Sequence, residues 1–170
     1  LFKKFKDLAD RKKQIYEEDL LALIDDKGNS LTKDYLELLD ISISCGSSKK
    51  ASAKIKIKIF DKIKVLKKDG NGPIDAIFSA LKNVIPNKIN LLVYQVNAIT
   101  KGTDAMAEVS VRIEEESITV LGQGSDLDTL VASAKAYINA INKLIVKRDK
   151  LKDAKNKIFE SNEKVDKHVI

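Results

Sequence analysis

Tryptophan is absent from the 170 residues, and cysteine, histidine and methionine occur once each. The lone Cys45 excludes an internal disulfide and fits a reducing compartment. The lone histidine, His168, stands third from the end, which excludes a histidine-rich metal site or a Ser-His-Asp triad in the body of the chain. No apolar run approaches the roughly 18–20 residues needed to cross a bilayer. Two prolines and seven glycines are too few for a low-complexity chain. What remains is 44% hydrophobic and 33% charged, enough to bury the core of one ordinary domain or two small ones. The chain opens at Leu1 with neither methionine nor a signal-peptide pattern, so it is expected to be a piece of something longer.

The net charge of +6 is unevenly placed. Residues 1–13 carry +4 and residues 143–170 another +4, which leaves −2 for residues 14–142. A near-neutral middle therefore lies between two basic arms. Aromatic side chains, 5% in all, do not interleave with the lysines as they do in nucleic-acid platforms. The arms read as solvated lysine-rich helices, and no nucleic-acid or membrane partner is expected.

Residues 1–13 place Leu1, Phe2, Phe5, Leu8 and Ala9 on one helical stripe, and a second short helix is expected from Glu17 to Ile24. Asp25 to Ser30 reads as a stop and a linker, so residues 1–30 form a helical linker subdomain. The period then changes. Leu36 to Ile43 suggests a strand, Gly46-Ser47-Ser48 a turn, and Lys54 to Ile59 alternates as a strand with one buried face. Ile63, Val65 and Leu66 make a third strand, which Asp69-Gly70-Asn71-Gly72-Pro73 breaks. Pro73 suits a first helical position, and Ile74 to Ile85 follows as an amphipathic helix. The order then repeats: a strand from Ile89 to Ala98, a turn at Thr100–Thr103 and a strand from Ala105 to Ile113. A short strand at Ile118–Leu121 follows, then a glycine-containing break and a long helix capped by Ser125 or Asp126.

The two halves overlay at an offset of about 55 residues. The fold class is therefore α+β, with two tandem βββα units making a two-layer domain over residues 31–148. Residues 149–170 are expected to continue as a helical tail, at least to Phe159, with His168 solvated.

Catalytic chemistry finds little support. Glu114-Glu115-Glu116 reads as a hairpin turn with its charges facing water, and Cys45 as a half-buried structural thiol without a histidine partner. No Gly-x-x-x-x-Gly-Lys loop and no strand-led Gly-x-Gly-x-x-Gly fingerprint occurs. No catalytic residue and no metal ligand is assigned. Gly70-Asn71-Gly72-Pro73 does stand out, because glycines let a ligand approach and a helix start offers unpaired amides to a small anion. An ordinary strand-to-helix turn is the competing reading.

Three segments carry a family resemblance: Asp69 to Ala76, Tyr94 to Ala105, and Ala132 to Asn142. In order and spacing they resemble the C-terminal regulatory domain of 2-isopropylmalate synthases, a module that also occurs in citramalate synthases. Leu8 to Lys13 with Glu18-Asp19-Leu20 resembles the subdomain that links the catalytic barrel to that domain. The resemblance implies a homodimerising, cytoplasmic feedback sensor without cofactors of its own. It would take L-leucine, or L-isoleucine in the citramalate branch. The divalent metal and acetyl-CoA belong to a separate catalytic barrel, which makes the parent protein an acyltransferase acting on acetyl-CoA and 2-oxoisovalerate.

By the same resemblance, Gly70 and Gly72 match glycines flanking the bound amino acid, with Ile74 and Asp75 opening the helix beside it. Leu91, Tyr94, Ala98, Ala105 and Ala107 match its apolar wall. Asp75 departs from relatives with a small apolar residue, and two roles stay open for it: pairing with the effector's ammonium group or capping the helix. The turn at Ser47–Lys50 also departs from the commoner Gly-Thr-x-x-x-Pro form. A rival from another class is a basic RNA-binding βββα module using Lys54, Lys56 and Lys58, whose binding would fall steeply with salt.

Overall fold

The computed structural model describes residues 35–85, 88–98 and 106–166. The helices expected at 1–13 and 17–24, the linker, the Thr100–Thr103 turn, Ala105 and His168 lie outside those residues. Within them the chain runs β1 (Leu36–Gly46), β2 (Lys49–Ile59), β3 (Lys62–Gly70), α1 (Pro73–Lys82), β4 (Asn90–Ala98), β5 (Ala107–Glu115), β6 (Ile118–Asp126) and α2 (Thr129–Asp166). Two antiparallel three-stranded sheets form, ordered β1-β2-β3 and β4-β5-β6, each followed by its helix. The tandem βββα architecture is as the alternation and the repeat required.

The duplication extends to irregularities that no hydrophobic pattern encodes. A bulge at Leu39 interrupts β1 opposite β2, and one at Leu92 interrupts β4 opposite β5. Each bulge leaves its leucine exposed. The β2–β3 and β5–β6 loops both start on a residue with positive φ, Phe60 at 52° and Glu116 at 54°. A left-handed first loop residue matches the twist of tight hairpins.

The period-two pattern sorts the faces. Ala51, Ala53, Ile55 and Ile57 of β2 are buried, as are Ala107, Val109, Val111 and Ile113 of β5. Above them, α1 buries Ala76, Ile77, Ala80 and Leu81, and α2 buries Ala132, Ala136, Ala140 and Ile141. Alanine-rich helix faces let the backbones approach closely, and three glycines complete the fit. A Cβ on Gly70 would collide with the backbone of Ala76, one on Gly122 with Ala136 and Ala140, and one on Gly124 with Ala132 and Ala136. These glycines are extended strand residues rather than breaks, so β3 runs on to Gly70 and β6 to Asp126. Helix–sheet proximity, which composition does not reveal, explains why the strands outlast their apolar runs.

Other expectations are corrected. β2 starts at Lys49, and α1 ends at Lys82 rather than Ile85. Neither Ser125 nor Asp126 caps α2: Asp128 Oδ1 accepts from the Leu130 amide at 2.7 Å. Asp126 instead accepts from the Asp128 amide and pairs with Lys135 at 2.6 Å, a contact that lowers its pKa. Glu115 does not face water. It is 2% exposed and sits 3.6 Å from Arg148 of α2, because its strand position points under the helix. Cys45 is exposed at the end of β1.

α2 joins the two units. Its Asn142 side chain accepts from the Leu36 amide at 2.8 Å and donates to the Leu36 carbonyl at 2.9 Å, both buried. The same helix seals the free edge of β6. Asn139 accepts from the Gln123 amide, while Lys143 and Lys147 donate to the carbonyls of Leu121 and Thr119. Four helical residues rise about 6 Å and two strand residues about 6.6 Å, so side chains spaced by four meet backbone groups spaced by two.

Asn142→Ala is expected to destabilise the chain by roughly 2–4 kcal/mol, because two buried backbone groups lose their partners; denaturant midpoints measure it. Gly122→Ala should destabilise far more than Gly46→Ala, whose added Cβ meets nothing within 4 Å. Equal midpoints for the two would refute the close-approach account.

Candidate functional site

The two helix starts occupy equivalent places in the repeat but are finished differently. α2 carries side-chain acceptors: Asp128 caps Leu130, and the Asp128 carbonyl takes the Ala132 amide at 2.9 Å. α1 starts on Gly72, an extended N-cap (φ −159°, ψ 171°) that makes no side-chain cap hydrogen bond. Pro73 has no N–H, and the Gly72 carbonyl takes the Ala76 amide at 2.9 Å. No intrahelical acceptor remains for the first-turn amides of Ile74 and Asp75, which lie where the helix dipole favours negative charge. The space beside Gly72 is open, since an added Cβ there meets no atom within 4 Å.

Asp75 leans back across this start, its Oδ2 accepting from the Asn71 amide at 2.8 Å. One carboxylate oxygen is thereby engaged in holding the loop ahead of the helix, without capping an amide of the helix itself. Gly70, the other glycine of the segment, presses against Ala76 and fixes how closely β3 approaches α1.

β4 supplies the second part of the site. Tyr94 is half-buried, with its ring edge-on to Phe78 of α1 at 5.4 Å. Phe78 in turn stacks on Tyr137 of α2 at 4.7 Å. The Tyr94 hydroxyl lies 2.9 Å from Ser133 Oγ, and Ser133 gives its own proton to the Thr129 carbonyl at 2.6 Å. Ser133 has only one proton, so Tyr94 is the donor in the first contact. The chain Tyr94–Ser133–Thr129 ties the middle of β4 to the first turn of α2. Burial pushes the Tyr137 hydroxyl up to about 12, so it stays protonated through the neutral range.

The positions singled out in the sequence fall into groups. Gly70, Gly72, Ile74 and Asp75 meet at the start of α1, and Tyr94 contacts that helix one turn further along, at Phe78. Ala98 and Ala107 pair across β4 and β5, and Leu91 pairs with Ile113 at the other end of β4. At a rise of about 3.3 Å per residue, Leu91 and Ala98 stand roughly 20 Å apart. Within one chain a small ligand reaches one end or the other. Ala105 lies outside the described residues. The sequence reading passed over Phe78, Ser133 and Tyr137; their signal was a buried serine and two aromatics at helical spacing, which ordinary core residues share.

The exposed apolar side chains of β4 (Leu91 at 43%, Leu92 at 48% and Val96 at 42%) form an uncovered surface beside this site. Among the described residues no group of three or more potential metal ligands occurs, and no helix is long and apolar enough to cross a membrane.

Lost stability at high pH tests the aromatic stack. The unfolded phenol ionises near 10 and the folded one near 12, so the contribution of Tyr137 is whole below pH 10 and drains away as pH rises through that window. The melting temperature of the native chain should fall more steeply above pH 10 than that of Tyr137→Phe; parallel curves would contradict the burial assignment.

Comparison with known proteins shows the family. Residues 14–145 match the family described as the LeuA allosteric (dimerisation) domain. The chain is 46% identical over 149 residues to a 2-isopropylmalate synthase of Bradyrhizobium sp. (strain ORS 278), covering 88% of this chain and 28% of that protein. It is 47% identical over 144 residues to the 2-isopropylmalate synthase of Methylorubrum populi, covering 85% of this chain and again 28% of the relative. The chain thus spans a little over a quarter of the length of these relatives. With this match and the two βββα units on the page, the chain belongs to the family of LeuA allosteric (dimerisation) domains.

Proposed function

We propose that this chain is the feedback-sensing and dimerising part of a 2-isopropylmalate synthase, with L-leucine as its effector. The observation that carries the proposal is the uncapped first turn of α1, open beside Gly72, next to a half-exposed apolar strand. The effector's carboxylate takes the amides of Ile74 and Asp75, where the helix dipole favours it. The free oxygen of Asp75 is available to the ammonium group. The aliphatic side chain lies against Tyr94 and Ala107, the resemblance assigning Ala98 and Ala105 to the same wall, and its burial contributes about 1.5–3 kcal/mol. Leu91, too distant to share that contact within one chain, serves the second copy across the exposed face of β4. Dimerisation and effector binding then use adjoining surfaces, so each biases the other.

In this reading the acyl transfer, with its divalent metal and acetyl-CoA, takes place in the part of such a protein that this chain does not span. The residues here bind, pair and transmit.

Calorimetric titration of the folded dimer with L-leucine, L-isoleucine and L-valine is the test. Leucine is expected to bind most tightly, and valine about tenfold or more weakly for its missing methylene. Ala105→Phe should abolish the leucine heat by filling the wall. Preference for isoleucine would move the chain to the citramalate branch. Silence from all three at millimolar concentration would overturn the effector reading.

A further inference from the structure

The free edges of the two sheets are treated unequally. β6 is closed by Asn139, Lys143 and Lys147 of the long helix. β1 lies beside α2, and its Leu36 backbone is taken by Asn142. β3 occupies in the first unit the place that β6 holds in the second, but its helix has 10 residues where α2 has 38. α1 ends at Lys82 and sends no side chain across that edge. The shared hairpin geometry turns the amides and carbonyls of Ile63, Val65 and Lys67 outward, as it does those of Thr119, Leu121 and Gln123. Among the described residues nothing hydrogen-bonds to them.

This edge is also apolar and basic at once. Ile63 is 60% exposed and Val65 55%, high values for side chains of their size. Beside them on the same face stand Lys58 and Lys56 of β2, paired with Ile63 and Val65, while Lys62, Lys64 and Lys68 line the opposite face of β3. Lysines on an edge usually keep other strands away. Here they act selectively. A second β3 would set lysine against lysine, which is repulsive, and β4 carries no charge to complement them. A strand alternating acidic and apolar residues meets the lysines on one face and Ile63 with Val65 on the other, and its backbone satisfies the outward groups.

We propose that the β3 edge is a docking site for an extended acidic–apolar segment of another protein, which adds to the first sheet as a fourth strand. Main-chain pairing supplies affinity, and the lysine ladder supplies the preference for acidic partners. The site uses Ile63 to Lys67 rather than the start of α1 and, on the function proposed above, leaves the exposed face of β4 free.

The probe is a blocked peptide alternating glutamate and valine, added to the full chain and followed by amide exchange. Protection of the Ile63, Val65 and Lys67 amides is expected, and a lysine–valine peptide should give none. Val65→Pro removes one outward N–H from an edge position where proline is tolerated, so the chain should stay folded and bind the peptide about tenfold or more weakly. As a second variant, Lys62→Glu with Lys64→Glu should reverse the preference between the two peptides. No protection at millimolar peptide overturns the proposal. So does peptide affinity unchanged by Val65→Pro in a folded chain, which would mean charge attraction without strand addition. Binding of a uridine oligonucleotide at the same lysines, steep in salt and indifferent to Val65→Pro, overturns it in favour of RNA.

Discussion

One buried carboxamide decides how the two units sit together. Asn142 meets both backbone groups of Leu36, the first residue of the first sheet, from a helix that belongs to the second. Away from water such a pair of bonds is costly to lose, and its geometry admits a single placement of β1 against α2. The stack of Tyr94, Phe78 and Tyr137 repeats the tie with apolar area, drawing residues from β4, α1 and α2 into one cluster. Everything proposed for the start of α1 depends on this joint, because it brings a helix from one unit beside a strand from the other.

A duplicated fold would be expected to carry two equivalent helix starts, and the two in this chain differ. The bulges and the left-handed loop residues correspond between units, so the backbone plan has been kept. The differences lie at the helix ends. α2 begins with Asp128 as its own cap and extends far enough to close an edge strand. α1 begins with a bare glycine and stops early. Among the described residues, a capped helix start in one unit and a bare one in the other turn a symmetric scaffold into one with an open helix start and an unsealed basic edge.

Charge is used structurally more often than its quantity suggests. Lys143 and Lys147 bind carbonyls, Lys135 holds Asp126, and Arg148 faces the buried Glu115. All four lie on α2; the three lysines satisfy polar groups with their heads, while Arg148 stands 3.6 Å from Glu115 as an ion pair. Among the described residues the lysines of β2 and β3 have no such engagement, and this contrast marks the first sheet as the chemically available one.

Residue spacing alone was enough to determine the two βββα units, the buried series Ala51 to Ile57 and Ala107 to Ile113, and the helical start at Pro73. These follow from periods of two and 3.6 that local sterics enforce. The motif around Gly70–Pro73 was equally visible, though its two glycines proved to have different duties. Gly70 lets backbones touch, and Gly72 leaves a space. That distinction needed tertiary structure, as did the inward turn of Glu115, the cap at Asp128 and the bond from Tyr94 to Ser133. Each depends on which element lies across from the residue, and a partner a hundred residues away, like Asn142 for Leu36, leaves no periodic trace in the chain that could announce it.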